Sequence, residues 1–238
     1  MSKIILITGG SSGIGRAIAS FLSSKDDYIV YGTSRNIENH KNLNFNLIQL
    51  DVTSIDSINV CIDKVISKHG KLDVLINNAG VGITGPMEET PNEEIEKHFK
   101  TNLYGPINIM KKVLPHMRKN NSGLIINITS IAGHIGTPFR SIYSAGKSSL
   151  DIISETLNME VKDFNINIVC VAPGDYLTNI SKGRFHSPII KDSSYETSYK
   201  SSLDKMNDNI KKGADPVSYT HLRAHETEAD LVCRLLLE

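Results

Sequence analysis

The first two dozen residues join a short apolar run, a glycine-rich turn and an amphipathic helical pattern, and this order limits the fold. The apolar run at residues 3–8 leads directly into a turn that contains Gly9, Gly13 and Gly15. Glycine permits a tight turn and lets the backbone approach a second chain segment closely. A strand, a glycine turn and a helix form the first half of a βαβ unit, which builds parallel sheets.

Five further short apolar runs alternate with longer helical patterns along the chain. Most are continuous apolar runs, as expected for strands that helices cover on both faces. The alternation therefore predicts repeated βαβ units and a parallel α/β sheet. The predicted strands are residues 3–8, 28–33, 46–50, 74–77, 124–129 and 166–171, and the predicted helices are residues 14–24, 54–69, 91–119 and 143–164.

The composition excludes several classes of function. Among 238 residues, 26 Lys and Arg balance 26 Asp and Glu, so no net charge favours nucleic acid or an anionic membrane. The three cysteines are widely spaced and form neither a metal-binding pattern nor a disulfide framework. We therefore expect no metal site and a reducing, cytoplasmic location. No apolar run approaches membrane-spanning length, so we expect no membrane partner.

The glycine turn is a candidate binding site for phosphate. A phosphate would lie at the N-terminus of the first helix, among N–H groups that lack partners inside the helix. The alternative is a plain strand-to-helix turn. We favour phosphate binding because the turn follows the first strand, and the candidate residues are Gly9, Ser11, Ser12, Gly13, Ile14 and Gly15.

The end of the second strand bears on the choice of cofactor. An NAD-selective site places a carboxylate about twenty residues after the glycine turn, where it binds the ribose 2′-hydroxyl. This chain has Ser34 and Arg35 there, and a guanidinium suits a 2′-phosphate. The alternative is an exposed surface arginine. We expect NADP(H) in preference to NAD(H).

Two further strand ends carry candidates for cofactor contact. Asp51, which precedes Val52, can reach an adenine amino group, but it could equally cap the following helix. Asn78, Ala79 and Gly80 follow the fourth strand. Small and amide residues suit backbone that lies close to a ligand, although they also form ordinary turns.

The helix predicted at residues 91–119 has a marked start and an interior proline. The sequence T-P-N-E that begins at Thr90 forms a capping box with proline at the first helical position. Pro106 lacks an N–H and clashes with the carbonyl four residues back, which belongs to Asn102. We expect a bend that leaves the Asn102 carbonyl free to hold a water; the alternative is a plain kink.

A proton donor is predicted between Ser130 and Lys147. Tyr143 precedes Lys147 by four residues, which places both on one face of a helix. An ammonium beside a phenol favours the phenolate, so the pair can protonate a carbonyl oxygen or deprotonate an alcohol. The Ser130 hydroxyl both donates and accepts, so it can hold that oxygen. Because such a pair also arises by chance, its context must support the interpretation.

Together these motifs resemble the short-chain dehydrogenase/reductase family, in its compact single-domain branch. The motifs are Thr8-Gly9-x-x-x-Gly13-x-Gly15, Asn77-Asn78-Ala79-Gly80, Asn102, Ser130, Tyr143-x-x-x-Lys147 and Pro173-Gly174. The resemblance covers residues 1–216 and implies one NAD(P)-binding domain with a doubly wound, Rossmann-like, three-layer αβα sheet. It also implies an oxidoreductase that acts on CH–OH groups, and a homodimer that pairs through the long central helices.

The resemblance also implies a role for each site residue. Tyr143 is the acid/base, Ser130 positions the substrate oxygen, and Lys147 holds the nicotinamide ribose. Asn102 keeps a water in a proton relay and completes the catalytic tetrad. Further cofactor contacts are implied for Tyr143, Lys147, Pro173, Gly174 and Thr178.

The segment between residues 174 and 213 is long for a loop and has little strand pattern, so we expect a mobile lid. Apolar side chains there and in nearby loops either line a substrate pocket or pack the lid down. They are Ile83, Met87, Phe139, Tyr176, Leu177, Ile180, Phe185 and Ile189. The candidate substrate-binding residues are Ser130, Phe139, Tyr143 and Tyr176. Arg184 and His186 are expected to be solvated, and the substrate to be a small, mainly apolar ketone, aldehyde or alcohol.

Residues 217–238 depart from the family pattern. The resemblance implies a helix and a seventh strand after residue 216, whereas this segment is similar to read-through ends of unrelated reading frames. We therefore expect a non-native tail and a sheet of six strands; the alternative is a genuine helix at residues 229–237. A missing last strand would expose a sheet edge and remove contacts that a tetramer needs.

Two other functions fit parts of the pattern. A nucleotide-binding regulator could keep the fold without the chemistry, but the complete tetrad argues against it. An epimerase or dehydratase of the extended branch of the family uses the same Tyr and Lys. That branch carries a larger C-terminal substrate domain and usually a different glycine spacing. The sequence therefore favours an NADP(H)-dependent oxidoreductase.

Overall fold

A parallel sheet of six strands forms the centre of the protein. The computed structural model describes residues 2–40, 42–174 and 183–212. Six strands lie in the order β3-β2-β1-β4-β6-β7, and every neighbouring pair is parallel. In chain order the strands are β1 (Lys3–Ile7), β2 (Tyr28–Ser34), β3 (Asn46–Gln49), β4 (Val74–Asn77), β5 (Ile83–Thr84), β6 (Gly123–Ile128), β7 (Ile166–Val171) and β8 (Phe185–His186). The predicted fold class, a doubly wound, Rossmann-like parallel sheet, is confirmed, and the described residues contribute six strands to it.

Helices cover both faces of this sheet. They are α1 (Gly13–Leu22), α2 (Ile55–His69), α3 (Asn92–Phe99), α4 (Gly105–Lys119), α5 (Ser141–Val161) and α6 (Glu196–Lys212). Ile4 and Leu6 belong to a core cluster with residues of α2, α4 and α5, whereas Ile5 and Ile7 belong to a cluster with residues of α1. Successive strand side chains point to opposite faces, so a strand buried on both faces must be apolar throughout. For this reason each predicted strand of the sheet matches an observed strand to within one residue at either end.

The strand order places a crevice at the carboxyl end of β1. This strand pairs with β2 on one side and with β4 on the other. The chain runs from β1 through β2 to β3 on one side and then crosses to β4 on the other side, so the direction in which strands are added reverses at β1. Ligands of open α/β sheets bind in the crevice that forms at such a switch point. No helix in the described residues is both long and apolar enough to cross a membrane.

The helix predicted at residues 91–119 has a different start and an interruption. The predicted capping box is wrong: Pro91 is the N-cap of α3, and no side chain caps this end. The Thr90 hydroxyl instead donates to the Pro86 carbonyl at 2.7 Å and lies 2.9 Å from the Ser187 hydroxyl. A π-helical turn at Lys100–Tyr104 separates α3 from α4. A tertiary contact thus displaced the local capping interaction.

The segment predicted as a long loop and mobile lid contains regular structure in the part that the structure describes. The expectation of a loop is wrong there, and the mobile lid stays a prediction. β8 pairs with β5 outside the main sheet, and α6 occupies the end of the segment. The anchor of α6 is Tyr199, which is buried and donates to the Thr84 carbonyl at 3.0 Å. β8 has only two residues and gives no periodicity, whereas α6 carries Tyr199, Leu203 and Met206 at helical spacing, a signal that was available in the sequence.

Several predictions lie outside the described residues. They concern Tyr176, Leu177, Thr178, Ile180, the domain boundary after residue 216, the non-native tail at residues 217–238 and the missing seventh strand.

A buried polar network joins α5 to the sheet. Asn127 on β6 is fully buried, and its side-chain oxygen accepts a hydrogen bond from Asn77 on β4 at 2.8 Å. Its amide nitrogen donates to the Ser154 hydroxyl of α5 at 2.7 Å. Such a network holds the helix in one register on the sheet, because each polar group that loses its partner would stay unsatisfied inside the core.

We expect Asn127→Ala to lower the free energy of unfolding by about 2–4 kcal/mol, because it leaves buried partners unsatisfied and opens a cavity. Urea denaturation followed by circular dichroism measures this change. Asn120→Ala, at an exposed position after α4, is the matched control and should cost less than about 0.5 kcal/mol. Equal effects of the two substitutions would contradict the role of the network.

Candidate active site

A cleft of about 650 Å³ opens at the carboxyl ends of the central strands. Its volume lies within the usual range for ligand sites in proteins. It is lined by most of the residues predicted to contact a cofactor: Gly9, Ser11, Ser12, Gly13, Ile14, Arg35, Asp51, Val52, Asn78, Ala79, Gly80, Tyr143, Lys147, Pro173 and Gly174. Ser130 lines the same cleft, so one cavity unites the glycine turn with the Tyr–Lys pair.

The glycine turn has the geometry of an anion site. Gly9 and Gly13 adopt φ values of 65° and 53°, a left-handed conformation that favours glycine. The Ser12 side chain does not cap α1, and no acidic residue occupies the first turn of that helix. The positive end of the helix dipole therefore borders the cleft without a competing carboxylate nearby in the helix.

Gly15 supports the turn from behind and is absent from the lining of the cleft. A Cβ atom at this position would lie 2.4 Å from the Asn78 amide nitrogen and 2.6 Å from the Gly9 carbonyl oxygen. Only glycine lets the first turn of α1 pack this closely against the residues that follow β4.

Thr8 and Asn78 join the ends of β1 and β4. The Thr8 hydroxyl accepts hydrogen bonds from the backbone N–H groups of Asn78 and Ala79, both at 2.9 Å. The Asn78 amide donates in return to the carbonyls of Thr8 at 2.8 Å and Gly9 at 3.3 Å. The Asn78 side chain thus stabilises the glycine turn.

At the end of β2 the cleft is bordered by Ser34, Arg35 and His40. Arg35 is exposed, and its carbonyl accepts a hydrogen bond from Gln49 at 3.1 Å. The Ser34 hydroxyl lies 3.3 Å from Nε2 of His40, a residue that the sequence pattern did not single out. The guanidinium, hydroxyl and imidazole form an edge rich in hydrogen-bond donors.

Asp51 is not a helix cap. Its Oδ1 accepts hydrogen bonds from the Thr53 N–H at 2.9 Å and the Thr53 hydroxyl at 2.7 Å. Ser54 is the residue that caps α2. Of the two predicted roles the capping role is wrong, and the Asp51 carboxylate remains on the cleft wall.

Three of the four tetrad candidates meet on one wall of the cleft. α5 begins at Ser141, so Tyr143 lies in its first turn and Lys147 one turn further along. Both are buried, with 7% and 6% of their surface exposed, and the Lys147 ammonium donates to the Ile128 carbonyl at 2.7 Å. Ser130 follows β6, and its hydroxyl accepts a hydrogen bond from the Ala132 N–H at 3.2 Å. This wall combines a phenol, an ammonium and a hydroxyl.

Arg140 also borders this wall, although the sequence pattern did not identify it. Its guanidinium lies 4.7 Å from the centroid of the Tyr143 ring, within the range of a cation–π contact. Its position three residues before Tyr143, at the N-cap of α5, was the available signal.

Asn102 lies behind the wall, and its side chain is fully used by protein partners. Its Oδ1 accepts from the Val81 N–H at 2.8 Å, and its Nδ2 donates to the Val81 carbonyl at 2.7 Å. The predicted bend at Pro106 takes the form of the π turn, in which the Gly105 N–H bonds the Lys100 carbonyl. Pro106 has no N–H for the Asn102 carbonyl, so any contribution of Asn102 to chemistry must come through its backbone.

His98 is the main site residue that the sequence pattern missed. It is 1% exposed, and its ring centroid lies 5.8 Å from that of Tyr143. Burial and the nearby Lys147 charge lower the pKa of His98 from 6.5 to about 4, although a hydrogen bond with the Val81 backbone partly opposes this. His98 precedes Asn102 by four residues on a helix, which was the signal available in the sequence.

The predicted substrate residues are distributed differently. Phe139 lies away from the main cleft, and its ring packs 5.2 Å from the ring of Tyr199 on α6. Ile83 and Phe185 pack with Tyr143, whereas Met87 and Ile189 are exposed.

The expectation that Arg184 and His186 are solvated is wrong. Arg184 is half-buried and lines the cleft, and His186 is half-buried in β8. The pKa of His186 is lowered by burial and then by the charge of Arg184. The pairing of β8 with β5 draws both residues against the body of the protein.

Comparison with known proteins agrees with this geometry. The model of the short chain dehydrogenase family matches residues 3–188. A Bacteroides thetaiotaomicron protein named 3-ketodihydrosphingosine reductase is 40% identical over 216 residues, covering 90% of this chain and 79% of the relative. A short-chain dehydrogenase structure from Streptomyces avermitilis matches with a TM-score of 0.85 and 32% identity, over 100% of this chain and 84% of the other. The structure of ElxO with NADP bound matches with a TM-score of 0.76 and 31% identity, over 93% and 89% of the two chains.

The pKa of His98 makes stability depend on pH. The folded-state value of about 4 lies below the ordinary value of 6.5, so the unfolded chain binds more protons between these two values. The free energy of unfolding should therefore fall as the pH drops from about 6.5 to about 4, by up to ~1.4 kcal/mol per pH unit from this group.

Urea denaturation of the wild type and His98→Gln at pH 5, 6 and 7 measures this contribution. Because glutamine does not titrate, the variant should show a shallower pH dependence between pH 5 and 6. Identical pH dependence in the two proteins would contradict a buried, neutral His98.

Proposed function

The chain belongs to the short-chain dehydrogenase family and is an oxidoreductase of the carbonyl/alcohol class, and we propose that it uses NADP(H), with Tyr143 as acid/base. The observation that carries this proposal is the shared cleft, in which Ser130, Tyr143 and Lys147 form one wall and the glycine turn forms another. An acid/base pair beside an anion site at a sheet switch point fits hydride-transfer chemistry with a dinucleotide.

The residues of the cleft fit a dinucleotide. The left-handed glycines and the uncapped start of α1 would hold the pyrophosphate, and the Asp51 carboxylate would reach the adenine. Arg35 and Ser34 would hold the ribose 2′-phosphate, which favours NADP(H) over NAD(H). The bound NADP of the related ElxO structure supports the same choice. When bound, the nicotinamide supplies a hydride to the carbonyl carbon, or accepts one from an alcohol.

The side chains of Ser130, Tyr143 and Lys147 would transfer a proton to or from the substrate oxygen and hold the groups that react. The Tyr143 hydroxyl donates a proton to the substrate oxygen during reduction and removes it during oxidation. The Ser130 hydroxyl donates a hydrogen bond to the same oxygen and holds it in place. The Lys147 ammonium, fixed by the Ile128 carbonyl, would bind the nicotinamide ribose. The backbone carbonyl of Asn102 would hold a water that passes a proton from solvent to Tyr143 during reduction and from Tyr143 to solvent during oxidation.

The substrate proposed is a small, mainly apolar ketone, aldehyde or alcohol. Ile83 and Phe185 pack with Tyr143 and provide apolar surface next to the acid/base. The relative from Bacteroides is named as a ketone reductase, which supports the direction of reduction.

The homodimer stays a prediction, for which the exposed Ile152 and Met159 of α5 offer apolar surface. Analytical ultracentrifugation measures the oligomeric state. The cytoplasmic location also stays a prediction, which microscopy of the tagged protein in its host can check.

Tyr143→Phe removes only the phenolic hydroxyl and should lower kcat by about 10²- to 10⁴-fold, the usual contribution of a general acid. NADPH absorbance, monitored across a panel of ketones and alcohols, measures the change. Tyr104→Phe is the matched control, because Tyr104 is exposed on the π turn and should keep wild-type turnover. Near-normal turnover of Tyr143→Phe would defeat the assignment. NADPH binding by the wild type without turnover on any member of the panel would favour a silent regulator.

Arg35→Ala should weaken NADPH binding by about tenfold or more, since a hydrogen bond to a charged group contributes about 1.5–3 kcal/mol. NADH binding should change little because NADH lacks the 2′-phosphate. Fluorescence titration with both cofactors measures the ratio. Arg118→Ala is the matched control, since Arg118 lies over Phe164, near the end of α5, and lines no part of the cleft. Equal loss for NADPH and NADH would contradict a 2′-phosphate contact.

A further inference from the structure

His98 is a buried polar side chain that the proposed mechanism does not use. It projects from α3 into the space between the loop after β4 and the first turns of α5, where it contacts the Val81 backbone and the Tyr143 ring. A buried histidine on an apolar helix face is often only part of the core. Here its neighbours are Asn102, Tyr143 and Lys147, three of the four tetrad candidates.

The hydrogen bonds of Asn102 define what His98 does. An asparagine amide has two N–H donors, and one of them goes to the Val81 carbonyl. The ring nitrogens of His98 lie 3.1 and 3.3 Å from the same Asn102 nitrogen, so a neutral ring can accept the second donor. With the Asn102 oxygen bonded to the Val81 N–H, every polar group of this amide has a partner. His98 therefore completes the set that fixes the rotation of Asn102.

A packing contact joins His98 to α5. A Cβ atom at Gly146 would lie only 2.8 Å from Nε2 of His98, closer than real contacts allow. Gly146 lies between Tyr143 and Lys147, in the same helical turn. The missing side chain at residue 146 makes room for the imidazole, so the position of this turn depends on the size of residue 98.

We propose that His98 is a positioning residue, which holds the Asn102 amide by a hydrogen bond and sets the Tyr143–Lys147 turn by contact with Gly146. The catalytic consequence rests on the proposed function, because it concerns the same acid/base and proton relay. Through Asn102, His98 orients the π turn that carries the relay carbonyl. Through its contact with Gly146, His98 sets the distance between the π turn and the Tyr143 phenol.

The first experiment separates the hydrogen bond from the packing. Glutamine at residue 98 can still accept from Asn102, whereas leucine fills space without an acceptor. We expect His98→Gln to keep kcat within about threefold. His98→Leu should lower kcat by about 10- to 100-fold, with less than about a twofold change in KM for NADPH, because small misplacements of catalytic groups are costly. Equal kcat values for His98→Gln and His98→Leu would overturn the hydrogen-bond role.

The second experiment is a double-mutant cycle with Gly146→Ala. The added methyl group should push His98 aside and lower kcat in the wild-type background, but it should be tolerated in the His98→Ala background, where the space is free. Gly136→Ala is the matched control, because a Cβ atom there meets no other atom within 4 Å. Additive effects of Gly146→Ala and His98→Ala would overturn the packing role.

The third measurement does not depend on activity. The Val81 N–H bonds the Asn102 oxygen at 2.8 Å, so its hydrogen exchange reports how firmly Asn102 is held. His98→Leu should speed this exchange by about tenfold or more relative to His98→Gln. Unchanged exchange would overturn the positioning role, even if the wild type reduces no carbonyl. A wild type that turns over no carbonyl with NADPH would overturn the proposed function instead, and the exchange at Val81 would still decide the role of His98.

Discussion

The close approach of β1 and β4 at their carboxyl ends is the constraint on which the rest of the site depends. Thr8 and Asn78 exchange hydrogen bonds across this gap, and α1 can pack above them only because residue 15 has no side chain. These contacts bring the glycine turn, the loop after β4 and the start of α1 to a single point. The cleft exists because three chain segments meet there with almost no side-chain volume between them.

The wall formed by Ser130, Tyr143 and Lys147 differs from the glycine turn, because it consists of buried polar side chains. Burial of an ammonium costs several kcal/mol unless hydrogen bonds satisfy it, and the Ile128 carbonyl meets part of that need for Lys147. A second buried cation beside it would add repulsion, which the neutral state of His98 avoids. α5 carries this wall and is held in register by Asn127 and Ser154. The reacting groups therefore lie on rigid elements whose polar contacts leave few alternative arrangements.

The parts of the fold that the sequence predicts correctly are those in which local pattern and burial agree. A strand covered on both faces must be apolar throughout, so the runs at β1 and β4 are unmistakable. The Tyr–Lys spacing likewise follows from helical periodicity alone. The family resemblance places Asn102 in the site, but the contacts of its side chain with Val81 cannot be derived from a linear pattern.

The errors have a common physical origin in contacts between residues that are distant in the chain. Thr90 begins a capping box by sequence, yet its hydroxyl bonds Ser187, almost a hundred residues further on. α6 is held through Tyr199, whose hydroxyl donates to the Thr84 carbonyl, 115 residues earlier in the chain. The role of His98 appears only when the loop after β4 and α5 close around it.

The π turn at Lys100–Tyr104 has a consequence for insertions and deletions. It accommodates one residue more than an α-helical turn, and each residue of a helix turns the chain by about 100°. Loss of a single residue there would restore a regular helix but rotate α3 against α4, so this helix tolerates substitutions far better than changes in length.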